Sequence, residues 1–532
     1  MSINKIEIRS KPFAAPKREN FNVYLVAAAI AVFATALGVA EFAGKLNFSG
    51  APPENFSPTN SVIRVPAGGD LQAAVNRARG GDVIELEAGA TYKGGIILPV
   101  KQTADFITIQ SSAVSKLPAD VRVSPAQANS MAKIVSPGRG AAAVSAENGA
   151  HHFRFVGIEF APGGSGDETV YNLILFGAGE KKPADVPRDL EIDRCYVHSL
   201  ETVRTRRGVA LNSAETVIKN SYFEGFAFPQ EETQAICGWT GTKNVKIINN
   251  YIEAGAENIL FGGADPFSAE LIPSDIEVRG NFLFKPYEWL DKVTLKTLFE
   301  LKNARRVLFT GNFLENSPTG SAFRITVRNQ DGTAAFSTIE DVIIKDNIVT
   351  TAAQGVNILG TDDTYPSQML KRLQIVNNIF YKIDGDNAYF VQIAGGEDVL
   401  IANNTVFQTG NITTFYGAMA KNFLFRDNIV GHGDYGIHGR ADIKSTAGEK
   451  LFQNNVIVNN KNVTSADISF PPNNFFVNSY SDVGFVNPGA KNFRLAAGSR
   501  FKGKGANKTD IGANVESVVA AVPKELFTRL RR

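Results

Sequence analysis

The sequence has little cysteine, histidine or tryptophan and no strong excess of either charge. Two cysteines, five histidines and two tryptophans among 532 residues exclude a disulfide-rich scaffold and a zinc cluster with Cys and His ligands. The 55 Lys+Arg residues nearly balance the 53 Asp+Glu residues, so nucleic acid is not an expected partner. There is no phosphate-binding loop, dinucleotide fingerprint or nucleophile elbow. A composition of 44% hydrophobic and 20% charged residues is typical of a folded protein.

Only one long hydrophobic run is present, from Phe21 to Ala40. Its 20 residues are enough to cross a hydrocarbon core of about 30 Å. Five basic residues precede it and favour a cytoplasmic N-terminus, so we expect the rest of the chain to be secreted, periplasmic or anchored in the inner membrane. A cleaved signal peptide and a retained transmembrane anchor both stay open, and a buried core helix is the remaining alternative. We assign residues 1–43 to this basic and hydrophobic segment and residues 44–61 to a proline-containing linker.

A short unit recurs through the second half of the chain: a β-rich stretch, a turn that contains Asn, and an apolar pair. KIINNYIE (246–253), LFTGNFLE (308–315) and QIVNNIFY (374–381) are three copies. The copies align on Asn250, Asn281, Asn312, Asn347, Asn378, Asn404, Asn428 and Asn455, and the register extends upstream through Gly157, Cys195 and Ser221. A repeat of about 30 residues built from short strands predicts a stacked solenoid. The alternative, a β-sandwich with unrelated Asn turns, does not explain so regular a spacing.

The repeat also predicts local structure. Asn suits a tight bend between strands, and its amide can bond to the equivalent residue one coil away, so we expect an internal Asn ladder. Residues 62–94 predict a strand, a short helix and the first coil; Leu71, Ala74, Val75 and Ala78 share one helix face, which is suited to capping the end of a β-stack. The repeat places Cys195 and Cys237 on different faces, so we expect two buried thiols and no disulfide.

These Asn-centred coils resemble the right-handed parallel β-helix of the pectin lyase-like superfamily, which predicts an all-β fold. QAICGW (234–239), AENILFGGADP (256–266), LFELKNARRV (298–307) and TVRNQDG (326–332) resemble a group of bacterial β-helix proteins of undetermined activity. We assign residues 62–515 to the β-helix and residues 516–532 to a basic C-terminal tail. The resemblance implies that a substrate groove runs over the strand that precedes the Asn-turn half of each coil.

Two groove strands alternate cleanly. In FELKN, Phe299 and Leu301 point inward, so Glu300 and Lys302 point outward; in FRITVRN, Arg324 and Arg328 point outward. Cleavage of a uronate polysaccharide by β-elimination needs a base and a cation that stabilises the developing enolate, which these residues could supply. The alternative is a surface charge ladder between coils. The predicted catalytic residues are therefore Arg324, Arg328, Lys302 and Glu300, with an acidic polysaccharide as partner.

Further side chains along the groove are candidates for binding. Asn357, Gln330 and Gln392 are the predicted polar contacts to the sugar, and Trp239 is a candidate for stacking on a sugar ring. Asp265, Asp331, Asp362 and Asp363 follow successive groove strands and form a candidate Ca²⁺ site, although acids in such loops are also ordinary turn residues. Ca²⁺ is the one candidate cofactor, and a monomer is expected.

Two alternatives to a lyase stay open. The first is a non-catalytic β-solenoid that binds glycans along its length or has a structural role. The second is a glycoside hydrolase, because polygalacturonases carry an Asp pair, a Gly-His-Gly and an Arg-x-Lys in that order. This chain has Asp362-Asp363, Gly431-His432-Gly433, and Arg440 with Lys444, but 68 residues separate Asp363 from Gly431. That spacing spans more than two coils and argues against a joint site.

Overall fold

Short strands in three parallel sheets make up most of the chain. The computed structural model describes residues 60–164, 166–440, 450–462, 470–471 and 473–530. The hydrophobic segment predicted at 21–40 and nearly all of the linker lie outside the described residues. Within the described part, no helix is both long and apolar enough to cross a membrane.

Sheet A contains the strand that precedes each Asn turn, and its neighbours pair in parallel along the whole solenoid. Its strands are Val62–Val65, Val83–Leu86, Ile107–Ser111, His151–Val156, Arg188–Asp193, Val217–Lys219, Lys243–Ile248, Ser274–Arg279, Ala304–Thr310, Ile339–Lys345, Lys371–Val376, Glu397–Ala402, Leu424–Arg426 and Phe452–Gln453.

Sheet B contains the strand that comes after each Asn turn. Its strands are Thr91–Lys93, Ala132–Val135, Ile158–Ala161, Tyr196–His198, Tyr222–Phe226, Tyr251–Ala254, Phe282–Phe284, Ile379–Ile383, Thr405–Gln408, Ile429–Gly431, Val456–Val458 and Phe475–Val477, together with the first halves of Phe313–Thr326 and Ile348–Leu359.

Sheet C completes each coil. It takes the second halves of Phe313–Thr326 and Ile348–Leu359 together with Ile96–Leu98, Val144–Ala146, Gly166–Phe176, Val203–Leu211, Gln234–Gly238, Glu257–Phe261, Thr297–Leu301, Tyr389–Ala394, Asn411–Phe415 and Ile437–His438. Among the described residues, Phe485–Asn487 and Asn492–Leu495 form the one antiparallel pair of strands. The β-helix prediction is therefore confirmed, and the sandwich alternative is wrong.

The Asn ladder forms as predicted at the turn between sheets A and B. The backbone N–H and the side-chain amide of Asn250 both donate to Oδ1 of Asn281, at 2.9 and 3.0 Å, and the pattern repeats along the stack. It continues past Asn455 to Asn474, a ninth asparagine that the repeat did not include. Each ladder asparagine from Asn250 to Asn455 is fully buried, so the ladder satisfies polar groups that would otherwise be costly inside the fold.

The N-terminal end of the stack is capped by helix α1, Leu71–Arg77. The Asp70 side chain accepts a hydrogen bond from the N–H of Ala73 and begins the helix. Leu71, Ala74 and Val75 are buried, and Ala78 directly after the helix is buried as well. This is the apolar face that the sequence predicts, and it covers interior side chains that have no further coil above them.

The C-terminal residues differ from the prediction. The basic tail expected at 516–532 instead folds, over its described part, into two helices, α2 (Val515–Ala521) and α3 (Lys524–Leu530). Their apolar residues join Phe282, Phe313 and Ile348 of sheet B in one buried cluster. The parallel strands end at Val477, before the predicted boundary at 515, because the residues after Val477 turn back along the outside of sheet B.

Both cysteines are free and buried. Cys195 lies at the turn between sheets A and B, and its N–H donates to Oγ of Ser221, the residue that precedes Asn250 in the ladder. Cys237 lies in sheet C. Burial raises the pKa of Cys195 to about 12 and that of Cys237 to about 11, so both are kept as thiols.

Candidate functional site

The outer face of sheet C carries a row of polar side chains in register. Glu300 pairs with Arg324, Arg324 with Asn357, and Asn357 with Gln392. Adjacent strands are about 4.8 Å apart, so these side chains lie in one line. They face outward because the residues beside them face inward: the rings of Phe299 and Phe323 both pack on Phe309 in the core. The predicted grouping of these four residues is therefore observed.

A polar pocket of about 360 Å³ opens over this row. It brings together six of the predicted residues and five others. Its lining is Lys296, Glu300, Lys302, Arg324, Thr326, Arg328, Asn329, Gln330, Asp362, Thr364 and Tyr365. Asn357 and Gln392 continue the row on the next strands but do not line the pocket, and Oδ1 of Asn357 accepts a hydrogen bond from the Tyr416 hydroxyl at 3.1 Å.

Glu300 forms the floor of the pocket and is only 2% exposed. Its Oε2 is buried without a hydrogen-bond partner among the described residues. Burial, and next the neighbouring Glu257 carboxylate, raise the pKa of Glu300 to about 7, although Lys302, Arg324 and Lys296 oppose the rise. At neutral pH both the protonated and the ionised forms of this carboxyl are therefore populated.

Lys302 and Arg324 are the cations over this floor. Backbone bonds from Lys302 to Phe261 and from Arg328 to Lys302, both 2.8 Å, fix the chain where the sheet C strand ends. Nε of Arg324 is buried without a hydrogen-bond partner, and within the described chain no carboxylate forms an ion pair with either residue. Glu300 and Arg324 are therefore not a surface ion pair, and both cations remain available to an anion.

Arg328 differs from the other two cations because it is already paired. Its guanidinium contacts the Asp363 carboxylate directly and lies 3.8 Å from Asp362. Burial opposes ionisation of Asp362, but the N–H groups of Thr364, Tyr365 and Asn329 outweigh it and hold the pKa of Asp362 below its usual value. Arg328 thus fixes the loop that forms one wall of the pocket.

Three of the four acids predicted to bind Ca²⁺, Asp265, Asp362 and Asp363, have other partners. Oδ2 of Asp265 accepts bonds from the N–H groups of Asp331 and Thr333 and from the Thr333 hydroxyl, at 2.8–3.1 Å. Asp362 binds backbone N–H groups, and Asp363 pairs with Arg328. In the part of the chain that the structure describes, no three or more His, Cys, Asp or Glu side chains are arranged to hold a metal ion. The Ca²⁺ site stays a prediction that these hydrogen bonds do not favour.

Two other predictions fall outside the pocket. Trp239 directly follows the sheet C strand Gln234–Gly238, upstream of the pocket, and its indole N–H donates to the carbonyl of Ala178 at 3.1 Å. His432, from the polygalacturonase-like pattern, comes after the sheet B strand Ile429–Gly431 and is buried against Phe470. Asp362 and Asp363 instead come after a sheet C strand, so the three do not form one site. Lys444 lies outside the described residues.

Sequence reasoning missed a second buried carboxylate beside the pocket. Glu257 is 1% exposed, accepts a hydrogen bond from the Gln234 amide at 2.8 Å, and lies 3.7 Å from the Lys296 ammonium. Lys296 also contacts Glu232. The strand register could have located Glu257, because counting back from the ladder asparagines places Gln234, Glu257 and Thr297 next to one another on adjacent strands.

No protein-family model and no curated protein matches the sequence. Among solved structures, the chain matches the PL6 family alginate lyase AlyGC with a TM-score of 0.53 at 13% identity, covering 87% of this chain and 59% of that one. It also matches the catalytic unit of a GH87 α-1,3-glucanase from Streptomyces thermodiastaticus strain HF3-3, with a TM-score of 0.47 at 10% identity, covering 80% of this chain and 70% of that one. A third match is a mannuronic acid specific polysaccharide family 6 lyase from human gut microbiota, with a TM-score of 0.41 at 13% identity, covering 78% of this chain and 91% of that one.

These neighbours are parallel β-helix proteins, and the match to AlyGC supports the same fold for this chain. The chain spans less than two thirds of the length of AlyGC. At 13% identity the likeness concerns the fold.

Proposed function

We propose that this protein binds an acidic, uronate-containing polysaccharide in the sheet C groove and cleaves it by β-elimination. One observation carries the proposal: Lys302 and Arg324, both without a carboxylate partner in the described chain, line a polar pocket over the buried carboxyl of Glu300. The hydrophobic segment at 21–40 would bring the protein to the extracytoplasmic side, where such polymers occur.

The reaction removes the proton on the carbon next to the uronate carboxylate, forms a carbon–carbon double bond, and breaks the glycosidic carbon–oxygen bond to the leaving sugar. Arg324 binds the uronate carboxylate with two parallel N–H donors and stabilises the negative charge that grows on it. Lys302, in its unprotonated form, takes the proton. The leaving oxygen needs a proton in return, which the resulting ammonium can donate.

Glu300 orients the side chains of Arg324 and Lys302 from below. It lies in register with Arg324, and its charge acts on both Arg324 and Lys302. Because the carboxyl is almost fully buried, it contacts the substrate only through them. The fold likeness adds indirect support, since AlyGC is an alginate lyase with the same β-helix architecture.

The test is a product assay with the purified full chain and a panel of uronate polysaccharides, with and without Ca²⁺. Unsaturated sugar ends absorb in the ultraviolet and report β-elimination. We expect Lys302→Ala and Arg324→Ala each to lower the rate by about 100-fold or more, because each removes a group that acts in the transition state. Arg279→Ala, an exposed arginine of sheet A that pairs with Glu277, is the matched control and should keep full activity.

The other outcomes identify the alternatives. Reducing ends without ultraviolet absorbance would contradict the lyase and indicate a hydrolase. Polysaccharide binding without any cleavage would indicate a non-catalytic glycan-binding solenoid. A Ca²⁺ requirement would give the carboxylates of the groove loops a metal-binding role.

A further inference from the structure

Three arginines lie upstream of the pocket on the same sheet. Arg204, Arg206 and Arg207, called here the arginine cluster, belong to the sheet C strand Val203–Leu211. Four strand-to-strand steps separate this strand from Phe313–Thr326, which carries Arg324. At about 4.8 Å per step, the cluster strand lies about 19 Å from the Arg324 strand along the groove, which is the length of several sugar units.

Two of the three arginines have aromatic neighbours and lack an acidic partner. The Arg207 guanidinium lies 5.0 Å from the Trp239 ring, and that of Arg204 lies 5.1 Å from the Phe228 ring. Over the described residues, neither forms an ion pair with a carboxylate. The third, Arg206, lies 3.5 Å from the Glu231 carboxylate. Nη1 of Arg207 donates a long hydrogen bond to Oδ1 of Asn172, at 3.4 Å. The remaining outer N–H groups of Arg207 and those of Arg204 can bind a carboxylate.

The cluster is electrostatically continuous with the pocket. Burial raises the pKa of Glu232, but Lys296, Lys302 and Arg206 together outweigh burial and lower it. Glu232 therefore lies within reach of charges from both regions. The Cys237 thiol also lies between the two regions, because the charges of both Arg207 and Lys302 act to lower its pKa against the effect of burial.

The opposite end of the groove has a different character. Beyond Arg324 the row continues through Asn357, Gln392 and Thr414, which are neutral. On its N-terminal side the groove carries the arginine cluster, with Glu231 paired to Arg206 and Glu232 paired to Lys296, whereas the row on the C-terminal side is uncharged for three strands. A polymer with a carboxylate on every sugar would gain ionic contacts only on the N-terminal side.

We propose that the arginine cluster is a distal subsite for the carboxylates of a long polyuronate chain, with Trp239 stacked on one of its sugar rings. This inference rests on the proposed function, because it uses the same groove and substrate class. It makes the protein selective for long chains: an oligomer too short to span both regions binds only at the pocket.

The test compares two probes of one polymer, a uronate octasaccharide and a disaccharide, by calorimetric binding to the full chain. The variants are the double substitution Arg204→Ala/Arg207→Ala and the control Arg279→Ala. We expect the double variant to weaken octasaccharide binding at least about tenfold, because two charge-assisted contacts are lost. Disaccharide binding should stay unchanged in every variant, and Arg279→Ala should leave both affinities unchanged.

A second substitution separates charge from shape. Arg207→Lys keeps the charge but removes the planar pair of donors, so octasaccharide binding should weaken less than with Arg207→Ala. If wild-type protein prefers the octasaccharide and the double variant binds the octasaccharide as tightly as wild type does, the distal subsite is overturned and the proposed function stays intact. Wild-type protein that binds neither probe would overturn both.

Discussion

At the scale of single residues, the chemistry of the groove depends on two buried carboxyl groups. Glu257 and Glu300 lie on adjacent sheet C strands, and each has an oxygen without a hydrogen-bond partner among the described residues. Burial of Glu300, and next the nearby Glu257 carboxylate, disfavour ionisation of Glu300 and raise its pKa to about 7. The groove therefore carries a carboxyl whose protonation changes between mildly acidic and mildly alkaline conditions.

This raised pKa predicts how stability depends on pH. The unfolded pKa of Glu300 is 4.5, so above that pH the unfolded chain ionises more readily than the folded one, and the fold loses stability as pH rises from 4.5 to about 7. Glu300→Gln removes this loss. We expect the variant to exceed wild type in unfolding free energy by about 1–3 kcal/mol at alkaline pH and to match it near the unfolded pKa.

Urea unfolding at alkaline pH and at pH 4.5 measures the difference in unfolding free energy between Glu300→Gln and wild type. The control is Glu277→Gln, on the outer face of sheet A, where the carboxylate pairs with Arg279 at 2.8 Å. It should show no gain at alkaline pH. An equal difference between Glu300→Gln and wild type at both pH values would contradict the raised pKa.

The same pair shows what the sequence could predict at this scale. Two-residue alternation located Glu300 and Arg324, because each lies between residues that fill the core. Glu257 was missed because it shares the parity of Ile259 and Phe261, so alternation assigns it to the interior. The pairing of Arg328 with Asp363 was not predictable either, because it depends on how a loop folds back over the strand.

At the scale of the turns and strands, the Asn ladder explains why the coils stack so regularly. The residue before each ladder asparagine has a positive φ, as with Asn249 at 54° and Gly280 at 67°, and Gly, Asn and Asp adopt this conformation most easily. Sequence pairs such as Asn-Asn and Gly-Asn therefore predict both the bend and the ladder. Asn474 was missed because it comes only 19 residues after Asn455, outside the spacing of the other copies.

The ladder gives a prediction about stability. Asn347→Ala removes the oxygen that accepts from the backbone N–H and the amide of Asn312, and leaves those donors buried without partners. We expect a loss of about 2–4 kcal/mol in unfolding free energy. The control is Asn76→Ala, an exposed residue of α1 whose side-chain oxygen accepts from the Gln72 amide at 2.9 Å, with an expected change within about 0.5 kcal/mol. Urea unfolding curves that shift equally for the two variants would show that the ladder does not contribute in this way.

At the scale of the whole described chain, the C-terminal helices act as a cover over sheet B. Val515, Val518 and Val522 face that sheet together with Leu526 and Leu530, and all five are buried. The spacing of the three valines is helical, so the signal was in the sequence. The prediction of a tail depended on the basic residues instead, yet one of them, Arg529, binds Glu315 and lies 4.7 Å from the Phe282 ring.

Detachment of this cover should expose the outer face of sheet B. Val518→Asp places a charge at a fully buried position against sheet B. Because a buried carboxylate without a partner is costly, α2 and α3 should separate from sheet B. The outer apolar residues of sheet B, including Phe282, Phe313 and Ile348, would then meet water, so the variant should bind a hydrophobic dye and be cleaved within residues 515–530 by low protease concentrations.

Lys524→Asp introduces the same side chain at an exposed position of α3 and serves as the control, so it should bind no dye and resist the protease as wild type does. The groove faces away from sheet B, on sheet C, so ligand binding measured on the same Val518→Asp protein should persist while dye binding rises. Loss of both together would show that the cover stabilises the whole solenoid. If Val518→Asp resists the protease as well as Lys524→Asp does, the packing of Val518 against sheet B does not hold α2 in place.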